Sequence, residues 1–233
     1  MFCLPRKIAK NLKIKDFLKF LYKKFPGKVV FSTSFSMEDQ IITHIIFDKK
    51  IPIKIFTIDT GRLLTDTYQV WSSTHKLYKN CILAYNPKYE NIEKYILENG
   101  PNAFYESLEK RKLCCYIRKV EPIKRAFLGK LLWITGLRIS HSTYRKSLDF
   151  LDWDNSQHLI KYNPLLKWVP VQVKEFTKIH YLLYNSLHDM GGISLGCNPC
   201  SKTIHIFSSI RAGRWIWEKK MGKECGLHAN CKK

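Results

Sequence analysis

A short apolar run, a polar turn and then a helical pattern recur along the first half of this chain, and few folds accept that order. Val29-Val30-Phe31 reads as a buried strand, runs through the polar turn 32–39, and gives way to helical spacing at Ile41, Ile42, Ile45 and Ile46. Ile53 to Ile58 is a second strand, ending at Asp59-Thr60-Gly61-Arg62 before a helix over Thr65 to Tyr78 and a third strand over Ile82 to Tyr85. Leu131 to Ile134 is a further strand, and it too ends in a polar turn, Thr135-Gly136-Leu137-Arg138. Strands alternating with helices require right-handed crossovers, which predicts α/β architecture: a parallel sheet with helices on both faces. Ligands of such sheets bind at the carboxyl ends of the strands, where these polar turns fall. The hydroxyl-rich turn 32–39 offers backbone N–H groups and a helix N-terminus to an anion, which points to a nucleotide-like ligand.

The remaining segments fill in around that frame. Lys13 to Phe25 is an amphipathic helix stopped by Pro26-Gly27, and Glu90 to Asn99 is a helix stopped by Gly100-Pro101. Cys114-Cys115 is expected to open a basic helix through Arg118, Lys119, Lys124 and Arg125. Ser140 to Trp153 reads as a polar, irregular and mobile loop, and Tyr162-Asn163-Pro164-Leu165 as a turn into a helix over Val171 to Tyr184. At 233 residues and 45% hydrophobic, with no evident linker, the chain is read as one α/β domain over 1–200 followed by a C-terminal segment over 201–233.

Tandem cysteines cannot bond to each other without strain, so Cys114-Cys115 needs partners elsewhere. Cys197-Asn198-Pro199-Cys200 supplies them, and four thiolates from two distant segments make a metal or iron–sulfur site. Zinc suits a Cys-x-x-Cys half, whereas the tandem pair favours a [4Fe-4S] cluster. Cys81 is read as a core residue, and Cys3 and Cys231 as incidental thiols.

No run approaches the length of a membrane span, and the first ten residues lack the apolar core of a signal peptide, so a cytoplasmic protein is expected. Forty Lys and Arg against 19 Asp and Glu give a net charge of +21. That charge invites nucleic acid. Its dispersal along the chain argues instead for a biased base composition, and any small polyanion would be attracted.

Taken together the motifs resemble those of the assimilatory sulfonucleotide reductases, specifically the iron–sulfur adenylylsulfate (APS) reductases, from about residue 29 to residue 229. Ser34-Phe35-Ser36-Met37-Glu38-Asp39 looks like the family's phosphate-side loop, and Asp59-Thr60-Gly61-Arg62 its Asp-Thr-Gly-Arg turn. Cys114-Cys115 with Ile117-Arg118-Lys119, Thr135-Gly136, Ser186-Leu187-His188, Gly196-Cys197 to Cys200, Arg211 to Trp217 and Glu224-Cys225-Gly226-Leu227-His228 follow in the same order. The sequence departs from the pattern after Thr135-Gly136, where Arg138-Ile139-Ser140-His141 replaces an Arg-rich, acid-containing turn.

The resemblance implies an adenine-nucleotide-binding, Rossmann-like sheet and the reduction of APS to sulfite and AMP, with electrons from thioredoxin or glutaredoxin. It implies that Cys225, on a mobile C-terminal segment, is the nucleophile and carries an S-sulfocysteine. Ser34, Ser36, Ile58, Thr60, Lys119, Gly136, Arg138, Arg211, Arg214 and His228 are the implied substrate contacts. Cys114, Cys115, Cys197 and Cys200 are the implied ligands of a [4Fe-4S] cluster. Trp215 and Trp217 are read as packing. The alternatives are a reductase of 3′-phosphorylated APS (PAPS) and a tRNA-modifying sulfurtransferase of the same fold. Membrane and nucleic-acid partners are not expected, and a homo-oligomer is left open.

Overall fold

The structure, a computed structural model, describes residues 12–141, 145–189, 196–202 and 213–218. Its centre is a six-stranded sheet in the order β3-β2-β1-β4-β6-β5. The strands are β1 (Val29–Ser32), β2 (Lys54–Ile58), β3 (Ile82–Tyr85), β4 (Leu132–Ile134), β5 (Leu151–Asp154) and β6 (Leu159–Tyr162). All neighbours pair in parallel except the β5–β6 hairpin at one edge. Around them lie α1 (Ile14–Lys24), α2 (Met37–Asp48), α3 (Thr65–Tyr78), α4 (Tyr89–Asn99), α5 (Leu108–Cys115), α6 (Glu121–Ala126) and α7 (Pro170–Ile179).

Successive strand residues point to opposite faces, and both faces are buried. Val29 and Phe31 of β1, Ile55 of β2, and Leu132 and Ile134 of β4 pack with Phe17, Leu18 and Leu21 of α1 and Ile41 and Ile42 of α2. Val30, Phe56 and Trp133 point the other way, against Ile123, Ala126 and Phe127. The chain runs from β1 outward to β2 and β3, then returns to place β4 on the other side of β1. The strand order thus reverses between β1 and β4, and a crevice opens at their carboxyl ends.

Three segments differ from the sequence expectation. The loop read over 140–153 runs into β5, of which Leu151 alone is a buried apolar residue. Its partner β6 was hidden by Lys161, which is buried with its Nζ 4.7 Å above the Trp133 ring and 2.5 Å from Asp154. A lysine neutralised in this way looks like solvent exposure in the sequence. The cysteine pair closes a helix rather than opening one: α5 ends at Cys115 and continues through a π-helical turn, Tyr116–Val120, into α6. Pro122 has no N–H to give the carbonyl of Arg118, so the i→i−4 ladder is interrupted, and Glu121 N–H reaches back to Tyr116. The last helix stops at Ile179, short of Tyr184. Among the described residues no helix is long and apolar enough to cross a membrane.

Candidate active site

The turn after β1 is held by its own side chains. Asp39 accepts from Ser34 N (2.6 Å) and Ser34 Oγ (2.7 Å), Thr33 Oγ1 accepts from Phe35 N (3.1 Å), and Ser36 Oγ caps α2 by accepting from Asp39 N (3.2 Å). Several of the N–H groups expected to face an anion are therefore engaged within the turn. Phe35 sits at φ +60° with its ring buried against Trp71, a left-handed conformation that costs energy for a residue with a Cβ.

Gly136, at the end of β4, closes the crevice from the opposite strand. A Cβ there would overlap Asp39 Oδ1 and stand 3.2 Å from Glu38 Cβ, so the two turns interlock only because residue 136 is glycine. Arg138 does not reach outward. It is buried, with Nε 2.7 Å from Glu38 Oε1 and further bonds to Ser140 Oγ, the Trp168 carbonyl and His141. His141 also stands 3.1 Å from Glu38, and Arg145 is 3.3 Å from the other His141 nitrogen. The imidazole thus occupies the middle of a cluster that the departure from the family pattern had left unexplained.

Glu38 and Asp39 are adjacent, yet their ionisation is pulled in opposite directions. Burial works to raise Glu38, but the hydrogen bond and charge of His141 and the charge of Arg138 outweigh it and hold the carboxyl at about 2. Burial raises Asp39 to about 6 against the Ser34 hydrogen bonds. A depressed carboxyl stabilises the fold above its unfolded value and loses that contribution as pH falls toward 2. A raised one does the reverse, so Asp39 withdraws stability as pH climbs from about 4 to about 6. Asp39→Asn, which keeps an oxygen for Ser34, is expected to remove that decline. Melting temperatures across pH 4–6 check this; a slope equal to wild type would refute it.

The turn after β2 faces the cysteines. Asp59 Oδ1 accepts from Gly61 N (2.8 Å) and Tyr68 Oη (2.7 Å), which fixes the turn. The buried Arg118 donates to the Thr60 carbonyl at 2.7 Å and lies beside the Cys114 thiol. From the far segment, Cys197 Sγ stands 3.4 Å from Thr60 Oγ1, Asn198 N donates to the Arg62 carbonyl (2.8 Å), and Leu63 bridges Cys197. Thr60 therefore touches the Cys-x-x-Cys loop directly and the tandem-cysteine helix through Arg118. Ile58, the last residue of β2, is half-buried against the second face of the core.

Arg214 is buried under that loop. Its Nη1 is 2.6 Å from Ser201 Oγ, its guanidinium lies 4.6 Å from the Trp215 ring, and a Cβ on Gly196 would stand 2.8 Å from its Cζ. Arg111, paired with Glu218, covers the same indole at 4.5 Å. Trp215 is packing, as read, and it packs on Cys197 and Cys200. Arg111 and Glu218 gave no motif signal, because their partnership spans the chain.

Among the described residues, none of the four expected ligand cysteines is in a disulfide. Burial, then Cys197, push Cys200 up to about 11, with Arg214 and Lys119 opposing. Burial also raises Cys114, with Cys197 adding to it and Arg118 opposing. Among the described residues no three His, Cys, Asp or Glu side chains are grouped closely enough to hold one metal ion. Cys81 is exposed, not core, because it precedes β3 at the sheet edge. Arg211, Cys225, His228, Cys3 and Cys231 lie outside the described residues.

A family model described as the phosphoadenosine phosphosulfate reductase domain matches residues 28–203. The chain belongs to this family. The adenosine 5′-phosphosulfate reductase of Allochromatium vinosum is 42% identical over 200 residues, spanning 86% of this chain and 78% of its own. The solved phosphoadenylyl-sulfate reductase of Candida auris, a phosphate complex, superposes with a TM-score of 0.72 at 27% identity, over 85% of this chain and 94% of that one. An FMN adenylyltransferase of Candida glabrata, with FAD and inorganic pyrophosphate bound, matches with a TM-score of 0.56 at 14% identity, over 87% and 69%, which is a likeness of fold.

Proposed function

We propose that this protein reduces APS to sulfite and AMP in sulfate assimilation, by way of an S-sulfocysteine at Cys225 and with a dithiol protein such as thioredoxin as donor. The observation that carries the choice of APS is the gathering of Cys114, Cys197 and Cys200 against the turn after β2. The relatives named as reductases of APS support the same reading.

In this reading the nucleotide lies across the carboxyl ends of β1, β2 and β4. Ser34, Ser36, Ile58, Thr60 and Gly136 line its place, Lys119, Arg211 and His228 are the cations assigned to its phosphosulfate, and Arg214 supports the Cys-x-x-Cys loop from beneath through Ser201. Arg138 supports the turn after β1 through Glu38. The Cys225 thiolate attacks the sulfur of APS, the sulfur–oxygen bond to phosphate breaks, and AMP leaves with the electron pair. Cations around the leaving phosphate stabilise the charge that develops there. A donor thiolate then attacks Cys225 Sγ, sulfite leaves with the bonding electrons, and the donor's second thiol resolves the mixed disulfide. Two electrons pass from the donor, and Cys225 is returned as a thiol.

Cys114, Cys115, Cys197 and Cys200 would hold the [4Fe-4S] cluster. Buried thiols that raise one another's pKa are stable as thiolates when iron supplies the countercharge, and a cluster spaces its ligands more widely than one ion does. When bound, the cluster supplies ordering of the site and a compact charge beside Lys119. Rates with APS and PAPS at equal donor concentration test the substrate. APS is expected to be preferred at least about a hundredfold, the range over which one well-placed group discriminates substrates. A preference for PAPS would overturn the reading.

A further inference from the structure

On the face of the sheet covered by α1, α2 and α7 lies a cavity of about 600 Å³. Among the described residues, none of the predicted substrate contacts lines it. One wall is aromatic. Phe176 and His180 rings are 4.2 Å apart, Trp168 and Phe176 5.7 Å, and His44 and His180 4.9 Å. His44 is anchored by Tyr78, whose hydroxyl is 2.9 Å from Nδ1. Lys13, Lys15, Lys49 and Lys167 stand around it with a single acid, Asp48, already 2.6 Å from Lys49.

We propose that this cavity is a second binding site, for a planar aromatic anion of about nucleotide size. The volume falls in the range of small-molecule pockets, roughly 300–1,000 Å³. Stacked rings offer a flat ligand offset-stacking and edge contacts. Lys13, Lys15 and Lys167 leave an uncompensated positive rim, which selects a phosphate, carboxylate or sulfonate on that ring and disfavours neutral aromatics. The aromatic wall belongs mainly to α7 and the turn before it, while the imidazole anchored by Tyr78 belongs to α2. Such a ligand would therefore bridge two helices that cover the same sheet face.

The test is a fluorescence titration of the full chain with 1-anilinonaphthalene-8-sulfonate, an aromatic sulfonate. Saturable binding of one probe per chain is expected. The double variant Lys15→Glu/Lys167→Glu should weaken it about tenfold or more, as reversing two nearby charges requires. The control Lys76→Glu/Lys94→Glu, exposed and outside the cavity lining, should leave it unchanged. Displacing the probe with AMP and, separately, with 2-naphthoate distinguishes a nucleotide from a simple aromatic acid as the natural class. Equal affinity in both double variants, absence of saturation, or displacement by neither competitor overturns the proposal. Because this assay reads binding without turnover, its failure leaves the reductase reading standing.

Discussion

Cys197→Ala is expected to lose most of its iron and to unfold at markedly lower temperature. Cys197 is where the Cys-x-x-Cys segment meets the turn after β2: its thiol faces Thr60 Oγ1, its backbone bridges Leu63, and its side chain packs with Cys200 under Trp215. A ligand lost from a polythiolate site removes a cross-link between residues 114–115 and 197–200. Cross-links over loops of that size are worth about 2–5 kcal/mol. Iron content and a denaturation curve of the purified variant measure both effects. Full iron content would remove Cys197 from the ligands.

Cys225→Ser separates nucleophile from cluster. The variant is expected to keep its iron and its visible absorption, and to release sulfite at least about 10⁴-fold more slowly, the scale seen when a catalytic nucleophile is removed. Serine reacts as an alkoxide, which is not populated near neutral pH, whereas a cysteine reacts as the far more accessible thiolate. Loss of the cluster in this variant would instead make Cys225 a ligand and contradict its assignment.

The sheet was readable because its strands are short apolar runs closed by polar turns. Residues 29–31, 53–58 and 82–85 were placed by that signal. β5 and β6 escaped it for a physical reason: Lys161 and Asp154 neutralise each other inside, and charges in a four-residue strand erase its period. The helical junction at Cys115 was mislocated because helical spacing before it is basic and weakly amphipathic, although Glu121-Pro122 held the clue to the π turn. At the site, residue types were legible and partnerships were not. Arg138 reads as a phosphate ligand, yet it is paired with Glu38. Arg214 reads the same way, yet its guanidinium lies between Gly196, Ser201 and Trp215. The Arg138–Glu38 bond spans 100 positions and the Arg214–Ser201 bond 13, and neither leaves a local pattern.

The central claim is that Cys225 takes the sulfonyl group from APS, and intact-protein mass reads it directly. Reduced, iron-replete protein is mixed anaerobically with APS in the absence of thioredoxin. A single sulfonate adduct on Cys225, discharged as sulfite when thioredoxin is added, is the predicted result. No adduct with APS, or one mapped to another cysteine, would contradict the account.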